Sequence, residues 1–174
     1  MTEWIVTGVF VVVMALVVAY QIWIAPWLRA RDAAKVTFVT KYGTKVYNQL
    51  PRCSKEAVDT MQDIMLEVYG RKFGWSTAQI KAVFGGQSYS IVPAPMVQSG
   101  VPVAGLTSGL VCSVCWATQL WRGALAHECL HSLRENLGAA TEADELAHKN
   151  WDVCYAAIAE VNAKAEATIK PLTP

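Results

Sequence analysis

The chain carries only three histidines in 174 residues, and between Trp4 and Leu28 it has no charged residue at all. Its formal net charge is +1, with no basic stripe interleaved with aromatics, so the electrostatic footprint of a nucleic-acid binder is missing and no such partner is expected. No internal repeat or low-complexity tract stands out, so the chain from about Arg29 onward reads as one unit. The cysteines number five, and an odd count leaves at least one thiol unpaired. Cys112 and Cys115 form a Cys-x-x-Cys without a second pair at finger-like spacing. In apolar surroundings they read as packed thiols rather than a redox pair.

What is present begins with the uncharged run "WIVTGVFVVVMALVVAYQIWIAPWL", residues 4–28. As a helix it would extend roughly 38 Å, enough to cross a bilayer. Aromatic residues stand at both ends, Trp4 at one and Tyr20, Trp23 and Trp27 at the other, as membrane interfaces favour. Met1-Thr2-Glu3 lacks the basic start of a cleaved signal peptide. The expectation is an uncleaved single-pass transmembrane anchor over residues 1–28 that contacts the lipid bilayer through residues 4–28. Arg29, Arg31, Lys35, Lys41 and Lys45 all follow it, which places the N-terminus outside and the C-terminal domain in the cytoplasm.

Residues 29–53 read as a linker, because "KVTFVTKYGTKVYNQL" alternates briefly like a strand yet also places Val36, Val39, Val46 and Leu50 at helical intervals. After Pro51, Ser54 is placed to cap a helix whose apolar face is Val58, Met61, Ile64, Met65 and Val68, with Gly70 to close it. A second helix is expected from Ser76 to Gly85-Gly86. Residues 87–116 are rich in β-branched and aromatic residues and punctuated by Pro and Gly, which predicts a small sheet. Helical spacing returns from Ala117 to Leu137, and Gly138 is positioned to end that helix in the left-handed conformation.

On this helix His127 and His131 lie one turn apart on one face, so both imidazoles can hold one ion. Glu128 sits about 100° round, within reach of a water on that ion. Zinc suits the set: it takes neutral imidazole, uses three protein ligands in hydrolytic sites, and lowers the pKa of a bound water to roughly 7. Glu128 would then act as general base. The stretch His127-Glu128-Cys129-Leu130-His131 resembles the His-Glu-x-x-His helix of the zincin metallopeptidases, and the likeness covers roughly residues 101–154. It implies a strand just before the helix that runs beside a bound peptide, in the position of "VAGLTSGLVCSVCW".

The gluzincin branch, which includes membrane-anchored peptidases, takes its third ligand from a Glu in a Glu-x-x-Ala-Asp pattern. "ATEADELAHKNWD" is similar but puts Ala140 at the ligand position. A helix capped by Thr141 and returning antiparallel brings residue 148 opposite residue 131, so His148 is the expected third ligand, with Glu145 or Glu142 as the alternatives. On one continuous helix Glu145, His148 and Asp152 would share a face, which suggests Asp152 as the carboxylate that orients His148.

The expectation is therefore an α+β protein: an N-terminal transmembrane helix, then a compact zincin-like metallopeptidase domain over residues 54–174. Its small β-sheet and His-Glu-x-x-His helix would pack on a C-terminal helix. Two functions fit. One is a membrane-anchored zinc-dependent endopeptidase acting on a protein or peptide substrate. The other is a catalytically silent zincin-like structural or adaptor subunit of a larger membrane assembly. A base beside the metal favours the enzyme.

Overall fold

The computed structural model describes residues 13–14, 36–49, 53–115, 121–149 and 151–169. The chain divides into two compact units, Met1–Val36 and Thr37–Pro174. In the first, Val13 and Met14 are helical. The expected transmembrane helix requires correction: among the described residues no helix is long and apolar enough to cross a membrane. Apart from Val13 and Met14, the run on which that expectation rested lies outside the described residues.

The second unit starts earlier than expected. Strands β1 (Phe38–Val39) and β2 (Lys45–Asn48) pair antiparallel, so part of the proposed linker belongs to the main sheet. Their turn depends on Gly43, whose φ of +92° suits only a residue without a Cβ. The Ser54 hydroxyl accepts the Ala57 N–H at 3.1 Å and caps helix α1 (Lys55–Phe73). That helix does not close at Gly70. It runs on to Gly74, in the left-handed conformation at φ 70°. Gly70 instead permits a close approach, since a Cβ there would stand 3.2 Å from the Trp75 carbonyl oxygen. Ser76 and Gln79 form a reciprocal capping box that starts helix α2 (Thr77–Gly86).

Five further strands follow: β3 (Ser88–Val92), β4 (Met96–Gln98), β5 (Val101–Val103), β6 (Gly105–Ser108) and β7 (Val111–Cys115). The main sheet has the order β1-β2-β3-β7-β6, while β4 and β5 make a separate hairpin. β2, β3 and β7 run parallel to one another, and β6 returns antiparallel on β7 as the outermost strand. Alternation in β3 sends Tyr89 and Ile91 into the core.

Helix α3 (Trp121–Asn136) packs on β6 and β7 and, on its other side, on the C-terminal helix α5 (Asp152–Thr168); α1 packs on α5. Leu125, Leu130 and Leu133 are almost wholly buried, each stabilising the fold by ~2–3 kcal/mol. Ala157 and Ala165 on α5 are fully buried, and small side chains let neighbouring helices approach closely. The Tyr69 hydroxyl, donating to the Ala126 carbonyl at 2.8 Å, ties α1 to α3. The fold is thus α+β, with a mixed sheet covered by helices.

The segment between α3 and α5 departs from the expected single return helix. Gly138, at φ 68°, ends α3 as anticipated, with Ala139 N–H bonded to the Arg134 carbonyl. Thr141 then caps a short helix, α4 (Glu142–Leu146), by accepting the Asp144 N–H. This helix stops after one turn. His148 N–H bonds to the Glu145 carbonyl and Lys149 N–H to that of Asp144, the paired bonds of a Schellman ending. His148 occupies the left-handed position of that motif, at φ 48°.

Candidate metal centre

Three elements deliver the site: α3 contributes His127 and His131, the end of α4 contributes His148, and β6 forms the opposite wall. The two histidines of α3 place their Nε2 atoms 3.0 Å apart, and His148 Nε2 lies 3.2 Å from His127 Nε2. One ligand atom from each fits within 4.8 Å of the others. Nitrogens sharing one tetrahedral ion at about 2.0–2.1 Å stand ~3.4 Å apart, close to the two separations that His127 makes with His131 and His148.

A non-glycine residue pays for the left-handed conformation, and here the chain accepts that cost where it turns the His148 imidazole toward His127. Gly or Asn would be the ordinary occupant of this position.

The donor chemistry fits a cation as well. Glu145 is buried and accepts from His131 Nδ1 at 2.6 Å. With its proton on Nδ1, His131 presents a bare Nε2 to its two neighbours. Burial first, then the adjacent imidazoles, hold His127 down to about 4. Burial, then His148 and the Arg134 guanidinium, hold His131 down to about 4. Near neutral pH both rings are uncharged and available as ligands. A neutral imidazole has one N–H, so His127 Nε2 can donate to only one neighbour at a time, whereas a single cation among the rings would accept a lone pair from all three.

Around the cluster the packing is tight. Arg134 donates from Nε to Glu145 at 2.6 Å and from Nη1 to the Cys154 sulfur at 3.1 Å, and lies over the Trp151 ring. The buried Trp151 ring stands 4.8, 4.2 and 4.6 Å from the rings of His127, His131 and His148, and so limits all three. Tyr155, half exposed, lies beyond it.

Glu128 follows His127 on α3 and lies against β6, lining the same cleft as the histidines. It is 7% exposed, and its carboxylate accepts a short hydrogen bond from the Thr107 hydroxyl. Burial raises its pKa to about 7, while the Thr107 bond works in the opposite direction. Gly105 leaves the necessary space: a Cβ there would stand 2.5 Å from Glu128 Oε1. A cleft of about 620 Å³ opens over the histidines and Glu128, bounded by residues 103–109, Gly123, Ala124, Gln98 and Ile158.

The structure therefore unites His127, Glu128, His131 and His148 around one cleft, and it reassigns the acidic residues. Glu145 bonds the Nδ1 side of His131 rather than joining the cluster. Glu142 opens α4, and its side chain lies outside the described residues. Asp152 requires correction: the helix break places it exposed in the first turn of α5, without a hydrogen bond to His148. Residues not anticipated are Gly105, Thr107, Arg134 and Trp151. Of these, Arg134 alone carried a signal, since it follows His131 by three residues on the same helix. All five cysteines are free and buried, Cys112 and Cys115 included. No protein-family model, curated protein or solved structure matches this chain.

Proposed function

We propose that this protein is a zinc-dependent endopeptidase in which His127, His131 and His148 hold the ion and Glu128 is the general base. The observation that carries the reading is the pairing of three converging imidazoles with a buried carboxylate in the same cleft. A structural zinc site has no use for such a carboxylate. When bound, zinc would supply a Lewis acid and a water acidified to a pKa of roughly 7. Glu128, raised to about 7, is matched to accept that proton and to return it to the departing amine.

The cleft also suits an extended substrate. The Cys115 N–H bonds to the Ala104 carbonyl, so in the antiparallel ladder Ala104, Leu106 and Ser108 turn their main-chain groups toward β7. Gly105 and Thr107 therefore offer N–H and C=O at the outer edge of β6, beside the cleft. A peptide strand can add there by main-chain hydrogen bonds. The resemblance to zincins through His127-Glu128-Cys129-Leu130-His131 agrees with this arrangement.

The decisive variant is Glu128→Gln, which cannot accept the proton of the attacking water. It is expected to keep zinc and fold while peptide hydrolysis falls by about two to four orders of magnitude. Loss of zinc from Glu128→Gln would make Glu128 a ligand and end the comparison with zincins. A zinc-loaded wild type that cleaves nothing in a broad peptide library would favour a silent structural subunit.

A further inference from the structure

Glu128 is held by β6 from two sides, and neither partner belongs to the ligand set. The Thr107 hydroxyl donates to carboxylate Oε2, and it lies 3.0 Å from the Glu128 carbonyl oxygen. Two residues earlier, on the same face of the strand, Gly105 leaves room that a methyl group would fill: its ideal Cβ falls 2.6 Å from Glu128 Cγ and 2.8 Å from Cδ. A hydroxyl has one proton to donate, so the carboxylate and the carbonyl share a single donor at a fixed point on the strand. The carboxylate is thus clamped at Oε2, with Oε1 packed over glycine.

The main chain of Thr107 simultaneously faces the outer edge of the sheet, unpaired among the described residues, by the register of β6 on β7. One residue thereby touches the base through its side chain and meets an added peptide strand through its backbone. We propose that Thr107 is the positioning residue that sets Glu128 relative to a peptide docked on β6. This inference rests on the endopeptidase reading for its catalytic consequence, whereas the clamp is a contact measurable without any substrate.

Three variants test it in the full chain loaded with zinc. Thr107→Val keeps the shape and the β-branch while removing the donor, and should lower kcat by about 10- to 100-fold, as misplacement of a reacting group does. KM and zinc affinity should stay within about twofold, as expected for a residue outside the ligand set that binds peptide through its backbone. Thr107→Ser restores the hydroxyl and should recover most of kcat. In a Glu128→Gln background Thr107→Val should cost nothing further, because the two act on one step.

Independently of turnover, urea unfolding of the metal-free wild type, Thr107→Val, Glu128→Ala and the double variant should show about tenfold non-additivity in the folding equilibrium. Additive effects in that cycle overturn the clamp. An equal loss of kcat with and without Glu128, or failure of Thr107→Ser to recover activity, overturns the positioning role. Strong coupling in the cycle with no hydrolysis by zinc-loaded wild type would refute the endopeptidase reading and, with it, the catalytic role of Thr107.

Discussion

Replacing Glu145 by Gln changes one atom in kind and tests how the site is built. The carboxylate now accepts from two donors, His131 Nδ1 and Arg134 Nε, each at 2.6 Å. A glutamine in the same place has one acceptor oxygen. Arg134 is always protonated and can only donate, so the amide oxygen turns to it and the NH₂ faces His131. To avoid two opposed donors, His131 must carry its proton on Nε2, the tautomer that cannot bind metal there. Zinc affinity should fall about 10- to 100-fold, or ~1.4–2.7 kcal/mol. Glu145→Ala is a poorer probe, because it removes the ion pair of Arg134 as well as the bond to His131. The assay is competition with a chelator of known affinity at pH 7, and the exposed Asp152, as Asp152→Asn, should stay within about twofold of wild type as an exposed site away from the ligands. Wild-type affinity in Glu145→Gln would refute the orienting bond. A loss equal to that of His131→Ala would make Glu145 a ligand.

The remaining predictions follow from Glu128 and its neighbours. Gly105→Ala puts a methyl group 2.5 Å from Glu128 Oε1, so zinc binding should persist while hydrolysis drops by about 100-fold; unchanged kcat would show that Glu128 does not rest on β6. In the metal-free protein the histidines and Glu128 pull stability in opposite directions with pH. His127 and His131, held at about 4, refuse protons that the unfolded chain takes up below its ordinary 6.5, so their contribution is present above 6.5 and lost as pH falls to about 4. Glu128, raised from 4.5 to about 7, keeps a proton the unfolded chain releases, so its contribution is present below 4.5 and lost as pH rises through 7. Metal-free Glu128→Gln should therefore gain on wild type between pH 4.5 and 7.5 by ~2–3 kcal/mol in urea melts with chelator. Parallel profiles for the two proteins would contradict this assignment.

The helix bearing His127 and His131 was legible because its apolar spacing and its terminal Gly138 agree, and helical geometry alone puts the two rings together. His148 was legible through scarcity, but its route was not. The sequence shows no glycine where α4 ends, and His148 itself takes the left-handed position, so a continuous helix was the natural reading. That one break moved Asp152 to the surface and left Glu145 as the partner of His131. The strands at Phe38–Val39 and Lys45–Asn48 were too short for periodicity to separate from helix. The clamp of Thr107 and Gly105 on Glu128 joins residues 21 to 23 positions apart across β6 and α3, a contact that only tertiary packing creates. The N-terminal apolar run met the composition of a span, yet no helix of that kind exists among the described residues.

The most direct test of the central claim is the metal content of the purified full chain, compared among wild type, His127→Ala, His131→Ala and His148→Ala. About one zinc per wild-type chain, with each of the three variants losing it to a similar degree, is the expected result for a three-imidazole site. Metal-free wild type after purification without chelator and with zinc supplied, or full occupancy in His148→Ala, would contradict the site as assembled here.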